Sequence, residues 1–182
     1  MKDITPKHNQ HKQNKNKIFV KKNKVYKTLR TGKVYGPDWL KAYRKIYERN
    51  KNLVKVYDVL EEGTMILMER LDIICTLDQL FSKDSKHKNL ITKDLICEII
   101  SVISRSWAID FEYSKTLTGH EYFIHNDLKL SNLALTSDYQ IKFIDPDSYG
   151  FTFELDGGYT FIQTHIELMH RIQRYYNNIK DV

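Results

Sequence analysis

The sequence predicts an α+β fold in two lobes, and three observations lead to this expectation. The chain has 182 residues, of which 41% are hydrophobic, a composition typical of a globular domain with a sizeable core. β-prone runs dominate residues 17–71. Helical periodicity dominates residues 72–182. We therefore expect an N-terminal lobe over the first range and a C-terminal lobe over the second, preceded by a disordered basic arm at residues 1–16.

The N-terminal lobe is predicted to contain a hairpin, one helix and two further strands. Two β-prone runs flank Lys22-Asn23-Lys24, which is typical of a hairpin. Asp38 can cap a helix whose apolar residues recur every three or four positions, and this helix should end near Asn50. Residues 53–60 alternate like a strand, and residues 64–69 are apolar enough for a central strand.

The C-terminal lobe is predicted to be mainly helical. Its longest pattern runs from Thr92 to about Tyr113, where apolar residues at three- and four-residue steps, among them Trp107 and Phe111, define a wide apolar face. Shorter elements are expected as helices at residues 76–81 and 159–178, and as a small hairpin of strands at residues 122–124 and 141–144.

The formal net charge is +6, and the positive charge is concentrated near the N-terminus. Between Lys2 and Lys33 there are many lysines and a single acidic residue, Asp3. Such an arm can bind nucleic acid or an acidic membrane surface. Arginine and aromatic residues are not interleaved with the lysines of residues 1–16, so a solvated tail is the favoured interpretation and nucleic-acid binding is not expected.

Cysteine and histidine patterns do not indicate a metal site. Neither Cys75 nor Cys97 lies in a CxxC pair, so two buried, reduced thiols are the simplest interpretation. His165 and His170 are five residues apart on the last predicted helix and are expected at the surface. No secretory signal is predicted, and no apolar run approaches the roughly 20 residues of a membrane span. These features predict a soluble intracellular protein.

Polar residues suited to phosphoryl transfer are clustered between residues 125 and 145. Transfer from ATP requires a carboxylate that orients the attacking hydroxyl, and Asp127 is the candidate. It also requires oxygen ligands for magnesium, for which Asn132 and Asp145 are suited. Lys129 could neutralise charge on the transferred phosphoryl group. The apolar strand before Asp145 would fix the position of its carboxylate.

This segment resembles the eukaryotic-type protein kinase family. The catalytic loop of that family follows the pattern H-x-D-L-K-x-x-N, and this chain has His125-Asn-Asp-Leu-Lys-Leu-Ser-Asn132. The metal-binding aspartate of the family lies thirteen residues after the asparagine, as Asp145 does here. The resemblance implies a two-lobed kinase-like fold, ATP and Mg²⁺ as cofactors, and catalytic roles for Asp127 and Lys129. It also implies that His125 is a packing residue.

Residues before the loop resemble the family more thinly. Val25-Tyr26-Lys27 resembles the strand that carries the phosphate-binding lysine, although an exposed strand lysine is the alternative for Lys27. Glu48 on the predicted helix would be its glutamate partner. Residues 66–71 resemble the last strand and the hinge, where Glu69 and Leu71 would offer backbone groups to adenine.

The sequence also departs from the family. No Gly-x-Gly-x-x-Gly precedes Lys27, the metal motif is Asp145-Pro146-Asp147, and 37 residues follow Asp145. Asp147 could be a second metal ligand or a solvated turn residue. We therefore expect a truncated N-lobe sheet and a reduced C-lobe, as in the minimal kinases of bacterial effectors and phages. Such a kinase could require an activating protein partner, and a viral protein or effector would act in the host cytoplasm.

Three functions follow from these patterns. The first is an ATP- and Mg²⁺-dependent Ser/Thr protein kinase, because small-molecule kinases usually lack a lysine at the position of Lys129. The second is a pseudokinase or binding module that keeps the fold, which the missing glycine-rich loop favours. The third is a small-molecule kinase, which the Asp145-Pro146-Asp147 variant favours. The same alternative is favoured because no activation segment ending in Ala-Pro-Glu, as in the family, is visible in the sequence.

Overall fold

The chain combines helices with small antiparallel sheets, which confirms the mixed α and β composition expected from the sequence. The computed structural model describes residues 1–4, 16–29, 33–118, 121–153 and 165–177. These residues divide into two compact units, Met1–Leu71 and Asp72–Val182. The assignment of the units to the two lobes of a kinase stays a prediction.

In its described residues, the first unit is a five-stranded sheet with one α-helix. The strands are antiparallel neighbours in the order β1-β2-β3-β5-β4. Its elements are β1 (Lys2–Asp3), β2 (Ile18–Lys21), β3 (Lys24–Thr28), α1 (Pro37–Arg49), β4 (Val56–Leu60) and β5 (Met65–Glu69).

Helix α1 places its apolar stripe towards the core of the first unit. Trp39, Tyr43 and Ile46 recur at helical spacing and are buried. The rings of Tyr35, Trp39 and Tyr43 stack in a row, with centroids 4.3 and 5.2 Å apart. The phenolic OH of Tyr43 donates a hydrogen bond of 2.8 Å to the Val54 carbonyl. The helix is therefore fixed by burial, by ring stacking and by one buried polar contact.

The N-terminal arm differs from the expectation at its first residues. Lys2 and Asp3 form β1, which pairs with Val20 and Phe19 of β2. The expectation of a disordered arm is therefore wrong for this pair, because the edge of the hairpin offers backbone groups that a short strand can pair with. Residues 5–15, the rest of the predicted arm apart from its ends, lie outside the described residues.

The described part of the second unit contains three α-helices and two small sheets. The sheets have the strand orders β10-β7 and β6-β8-β9. The elements are β6 (Ile73–Thr76), α2 (Leu77–Leu80), α3 (Lys93–Ser114), β7 (Glu121–His125), β8 (Leu133–Thr136), β9 (Ile141–Phe143), β10 (Tyr149–Phe153) and α4, whose described part is residues 165–177. The other residues of the last predicted helix, 159–164 and 178, lie outside the described residues.

The small hairpin expected from residues 122–124 and 141–144 is not formed. Instead β7 pairs with β10, and β9 pairs with β8. The sequence reasoning missed β8, whose four residues are all buried and therefore lack the alternation of a half-exposed strand. The loop between β7 and β8 is consequently bounded by strands of two different sheets.

Helix α3 has a buried stripe that changes character along its length. Its first half buries Ile96, Ile99 and Ile103, as the sequence predicts. Its second half buries the polar residues Ser106, Asp110 and Ser114 at the same spacing. Trp107 and Phe111, which were expected on the buried face, are each 36% exposed. The wide apolar face is therefore correct only for the first half of the helix.

The burial of three side chains in the second unit can be compared with the expectation from the sequence. Cys75 is buried as expected, whereas Cys97 is exposed. His165 lies on α4 and is buried, contrary to the expectation of a surface position. Among the described helices, none has both the length and the apolar character that crossing a bilayer requires.

Candidate active site

The loop with the kinase-like motif begins where β7 ends. His125 is the last residue of β7, and a short 3₁₀ turn at Leu130–Asn132 leads directly into β8. The backbone N–H of Asn126 donates a hydrogen bond of 2.8 Å to the Ser148 carbonyl, which extends the β7–β10 pairing by one residue. Both ends of the loop are thus held by strand pairing, while its centre is free of regular structure.

Two polar side chains of the loop contact Asp127. The Lys129 ammonium lies 2.5 Å from Oδ2 of Asp127. The Asn132 amide nitrogen donates to the backbone carbonyl of Asp127 at 2.8 Å and to Oδ2 at 3.2 Å. The Asp127 and Lys129 side chains are 51% and 53% exposed, whereas Asn132 is buried. The Asp127 carboxylate and the Lys129 ammonium are therefore accessible to solvent, while the buried amide of Asn132 holds Asp127 in place.

Asp145 is brought to this loop by the β8–β9 ladder. The N–H of Ile144 donates a hydrogen bond of 3.0 Å to the Asn132 carbonyl, one step beyond the pairing of Leu133 with Phe143. The hydroxyl of Ser148 donates to Oδ2 of Asp145 at 2.7 Å. Because Ser148 also accepts from the backbone of the loop, a single serine restrains Asp145 relative to Asn126.

His125 is buried behind the loop. Its imidazole packs against the rings of Phe143 and Tyr149, with centroids 5.8 and 5.2 Å away, which agrees with its expected packing role. Neither ring nitrogen has a hydrogen-bond partner among the described residues. Burial lowers the pKa of His125 to about 4, and the nearby carboxylates of Asp145 and Asp127 only partly oppose this shift. The imidazole is therefore neutral at pH 7.

The donor set of the site suits a hard cation. Asn132 uses its amide nitrogen for Asp127, so its carbonyl oxygen is the atom of that amide suited to metal binding. Asp145 supplies carboxylate oxygens on the next segment. Mg²⁺ commonly takes one or two protein oxygens and completes its shell with phosphate and water. Among the described residues, this site included, no group of three or more His, Cys, Asp or Glu side chains is placed to hold a metal ion.

The sequence allows Asp147 to be either a second metal ligand or a solvated turn residue. It is buried, with 7% of its surface exposed, and it lies in the short 3₁₀ turn Pro146–Ser148. The description as a solvated turn residue is therefore wrong. A role in metal binding stays a prediction.

Lys27 lies in the first unit, on the central strand β3. Its register partner on β5 is Ile66, and Lys27 is only 6% exposed. Lys27 is therefore not an exposed strand lysine. Burial of a lysine costs free energy, so its buried position calls for contacts that compensate. Its expected contact with nucleotide phosphates stays a prediction.

Glu69 and Leu71, which the sequence predicts as hinge residues, are half-buried at the end of the first unit. The backbone N–H of Glu69 donates to the Lys55 carbonyl at 2.9 Å, and its carboxylate accepts from the Lys55 N–H at 2.6 Å. A backbone contact from Glu69 to a ligand would therefore be made by its carbonyl. The predicted adenine contacts of both residues stay predictions.

Glu48 does not have the surroundings expected of a partner for Lys27. Its side chain is 62% exposed and forms an ion pair of 3.4 Å with Lys45, one helical turn away. The buried face of α1 carries Trp39, Tyr43 and Ile46 instead. Because Glu48 lies on the opposite, solvated face, we correct this assignment.

Asp110 is a residue near the site that the sequence reasoning missed. It lies on α3, is 1% exposed and accepts a hydrogen bond of 3.2 Å from the Tyr149 hydroxyl. A signal was present in the sequence, because an aspartate at helical spacing from a buried isoleucine stripe indicates a buried carboxyl that needs partners.

Comparisons with known proteins support the fold and leave the family open. No protein-family model matches the sequence, and no curated protein matches it. The kinase PK-1 of the Cydia pomonella granulovirus aligns with a TM-score of 0.53 at 14% identity, over 80% of this chain and 52% of that one. WbdD aligns with a TM-score of 0.51 at 13% identity, over 86% of this chain and 35% of that one.

The fold is therefore similar to that of the granulovirus kinase. At such low identity the likeness concerns the fold alone. The chain spans about half the length of the granulovirus kinase and about a third of WbdD.

Proposed function

We propose that this protein is an ATP- and Mg²⁺-dependent phosphotransferase whose most suitable substrate is a Ser or Thr hydroxyl of a protein. The observation that carries the proposal is the contact of Asp127 with both Lys129 and Asn132, next to Asp145. A kinase-like fold alone would permit a non-catalytic protein. Phosphoryl transfer requires such a set, here three side chains of one loop together with Asp145 on the adjoining segment.

In the proposed reaction Asp127 orients the attacking hydroxyl and accepts its proton. Its exposed carboxylate is accessible to a substrate, while Asn132 holds both its backbone carbonyl and Oδ2. Lys129 leaves its contact with Asp127 and stabilises charge on the transferred phosphoryl group. Asn132 and Asp145 would hold Mg²⁺, which supplies charge neutralisation for the phosphates when bound. Lys27 would bind the remaining phosphates, and Glu69 and Leu71 would contact adenine.

Lys129 supports a protein substrate over a small molecule, because the resemblance to protein kinases includes this lysine. A small-molecule kinase is the alternative within the same chemistry. The two are distinguished by whether label from γ-labelled ATP appears in protein or in a soluble acceptor. An activating protein partner is compatible with the proposal, and it would be recognised by an increase in labelling when added.

A direct phosphotransfer assay tests the proposal. We expect labelled ATP and Mg²⁺ to give autophosphorylation or labelling of a general protein acceptor, and Asp127→Asn to reduce the rate by at least about 100-fold. Asp84→Asn is the matched control, since it removes one exposed carboxylate from another loop and should leave the rate unchanged. Equal labelling by the wild type and Asp127→Asn would refute the proposal.

A non-catalytic nucleotide-binding module is the second candidate. It is favoured by the close Asp127–Lys129 ion pair, which occupies the carboxylate that would orient a hydroxyl. In this case ATP with Mg²⁺ would raise the melting temperature without any transfer, and Asp145→Ala would remove that rise. Transfer that depends on Asp127 would exclude this candidate.

A further inference from the structure

A buried carboxyl lies directly beneath the loop that carries Asp127. Asp110 occupies the polar second half of the α3 stripe and is 1% exposed. Isolated carboxyl groups are rarely buried to this extent, because removal from water is costly unless hydrogen bonds compensate. The contacts of Asp110 therefore indicate what the position contributes.

Two donors from the site region converge on Asp110. The Tyr149 hydroxyl donates to Oδ1 at 3.2 Å, and the backbone N–H of His125 is the second donor. Strand register explains the second contact. Because Asn126 donates to the Ser148 carbonyl across β10, the adjacent pair His125 and Tyr149 is not hydrogen-bonded, and the N–H of His125 faces away from β10.

The two donors belong to the two segments that position the site. His125 precedes Asp127 by two residues on the loop side. Tyr149 follows Ser148, whose hydroxyl holds Asp145 and whose carbonyl holds Asn126. One carboxyl therefore connects α3 to the start of the loop and to the segment that carries the metal-binding candidate.

We propose that Asp110 is a positioning residue, which fixes the catalytic loop to α3 through the His125 backbone and the Tyr149 hydroxyl. The inference rests on the proposed phosphotransfer, in which Asp127 must be held in place. Burial raises the pKa of Asp110 well above its ordinary value, although the hydrogen bonds from Tyr149 and His125 oppose the shift. The cost of burying this carboxyl supports a specific role for its contacts.

The chain offers a matched control on the same helix. The Ser114 hydroxyl accepts from the Phe123 N–H at 3.0 Å and donates to the Asp110 carbonyl at 2.7 Å. Ser114→Ala therefore removes one buried hydrogen bond between α3 and β7 and one within α3, without removing a donor to the Asp110 carboxyl. Its comparison with Asp110→Asn and Tyr149→Phe separates general stability from positioning of the loop.

Two measurements on the full chain test the proposal. The first is amide hydrogen exchange of residues 126–132. We expect exchange there to be at least about 10-fold faster in Asp110→Asn than in Ser114→Ala. The second is the steady-state rate with labelled ATP and Mg²⁺. We expect kcat to fall by about 10-fold to 100-fold in Asp110→Asn with the KM for ATP nearly unchanged, since misplacement of a catalytic group lowers turnover.

The outcomes distinguish this proposal from the one on which it rests. Equal exchange of residues 126–132 in Asp110→Asn and Ser114→Ala would overturn the positioning role. So would a fall in kcat that follows the melting temperature equally in both variants. If the wild type transfers no phosphate, the proposed function fails, and the exchange experiment still decides the role of Asp110. If Asp110→Asn does not fold, faster exchange in Tyr149→Phe supports the role and unchanged exchange overturns it.

Discussion

Acidification should unfold the second unit in part through His125. Its side chain is buried, both ring nitrogens are without partners among the described residues, and its pKa is lowered from 6.5 to about 4. Between these two values the unfolded chain binds a proton that the native imidazole does not. The stabilising contribution is therefore complete above pH 6.5 and is lost as the pH falls towards 4.

The size of this effect follows from the pKa difference. A difference from 6.5 to about 4 corresponds to about 3 kcal/mol of unfolding free energy. This amount is a large fraction of the free energy of unfolding of a typical domain, which is about 5–15 kcal/mol. An apolar replacement such as His125→Leu should abolish this component, since it removes the titrating group and its unsatisfied nitrogens.

Urea denaturation followed by circular dichroism at several values between pH 7 and pH 4 measures the effect. We expect the wild type to lose about 3 kcal/mol more than His125→Leu over this range. His170→Leu, which replaces an exposed histidine on α4, should keep the wild-type dependence. If the wild type and His125→Leu lost stability in parallel, the argument that burial keeps His125 neutral would be wrong.

Three further substitutions test the packing. Gly63→Ala should destabilise the chain by about 1–3 kcal/mol in urea denaturation, because Gly63 has φ +91° and an added Cβ would lie 2.6 Å from the Tyr35 carbonyl; Gly36→Ala, with open space around it, should cost much less. Thr76→Ala removes the capping box of α2, and its melting temperature should fall in line with a loss of about 1 kcal/mol. Tyr43→Phe leaves a buried carbonyl without its donor and should cost about 1–3 kcal/mol by chemical denaturation; a loss near zero in any of the three would contradict its stated contact.

The sequence predicts the fold best in the long helices, where apolar residues recur at helical spacing over many turns. Helices α1 and α3 begin and end within a residue or two of the expected positions, because apolar spacing is a local signal. Thr92 caps α3 through its side chain, whereas the expected cap Asp38 lies inside α1, whose N-cap is Gly36. The strands β6, β8 and β10 were not predicted. They are short and lie in small sheets whose partners are distant in sequence, so their pairing depends on tertiary contacts that periodicity does not encode.

The candidate site could be located but not assembled from the sequence. The motif spacing indicated Asp127, Asn132 and Asp145, and the β8–β9 ladder explains why a spacing of thirteen brings the last two to neighbouring segments. The burial of Lys27 and the solvated position of Glu48 depend on which face of each element meets the core. A spacing pattern alone does not determine that face.

The two tryptophans have a practical consequence for spectroscopy. The sequence contains two tryptophans, and one lies in each unit. Trp39 is 4% exposed and stacked between two tyrosines, whereas Trp107 is 36% exposed on α3. Their fluorescence should therefore differ, with Trp39 emitting at shorter wavelength and Trp107 quenched more readily by a soluble agent. Trp107→Phe leaves Trp39 as the fluorescent reporter of the first unit, and Trp39→Phe leaves Trp107 as the reporter of the second. The unfolding of the two units can therefore be followed separately.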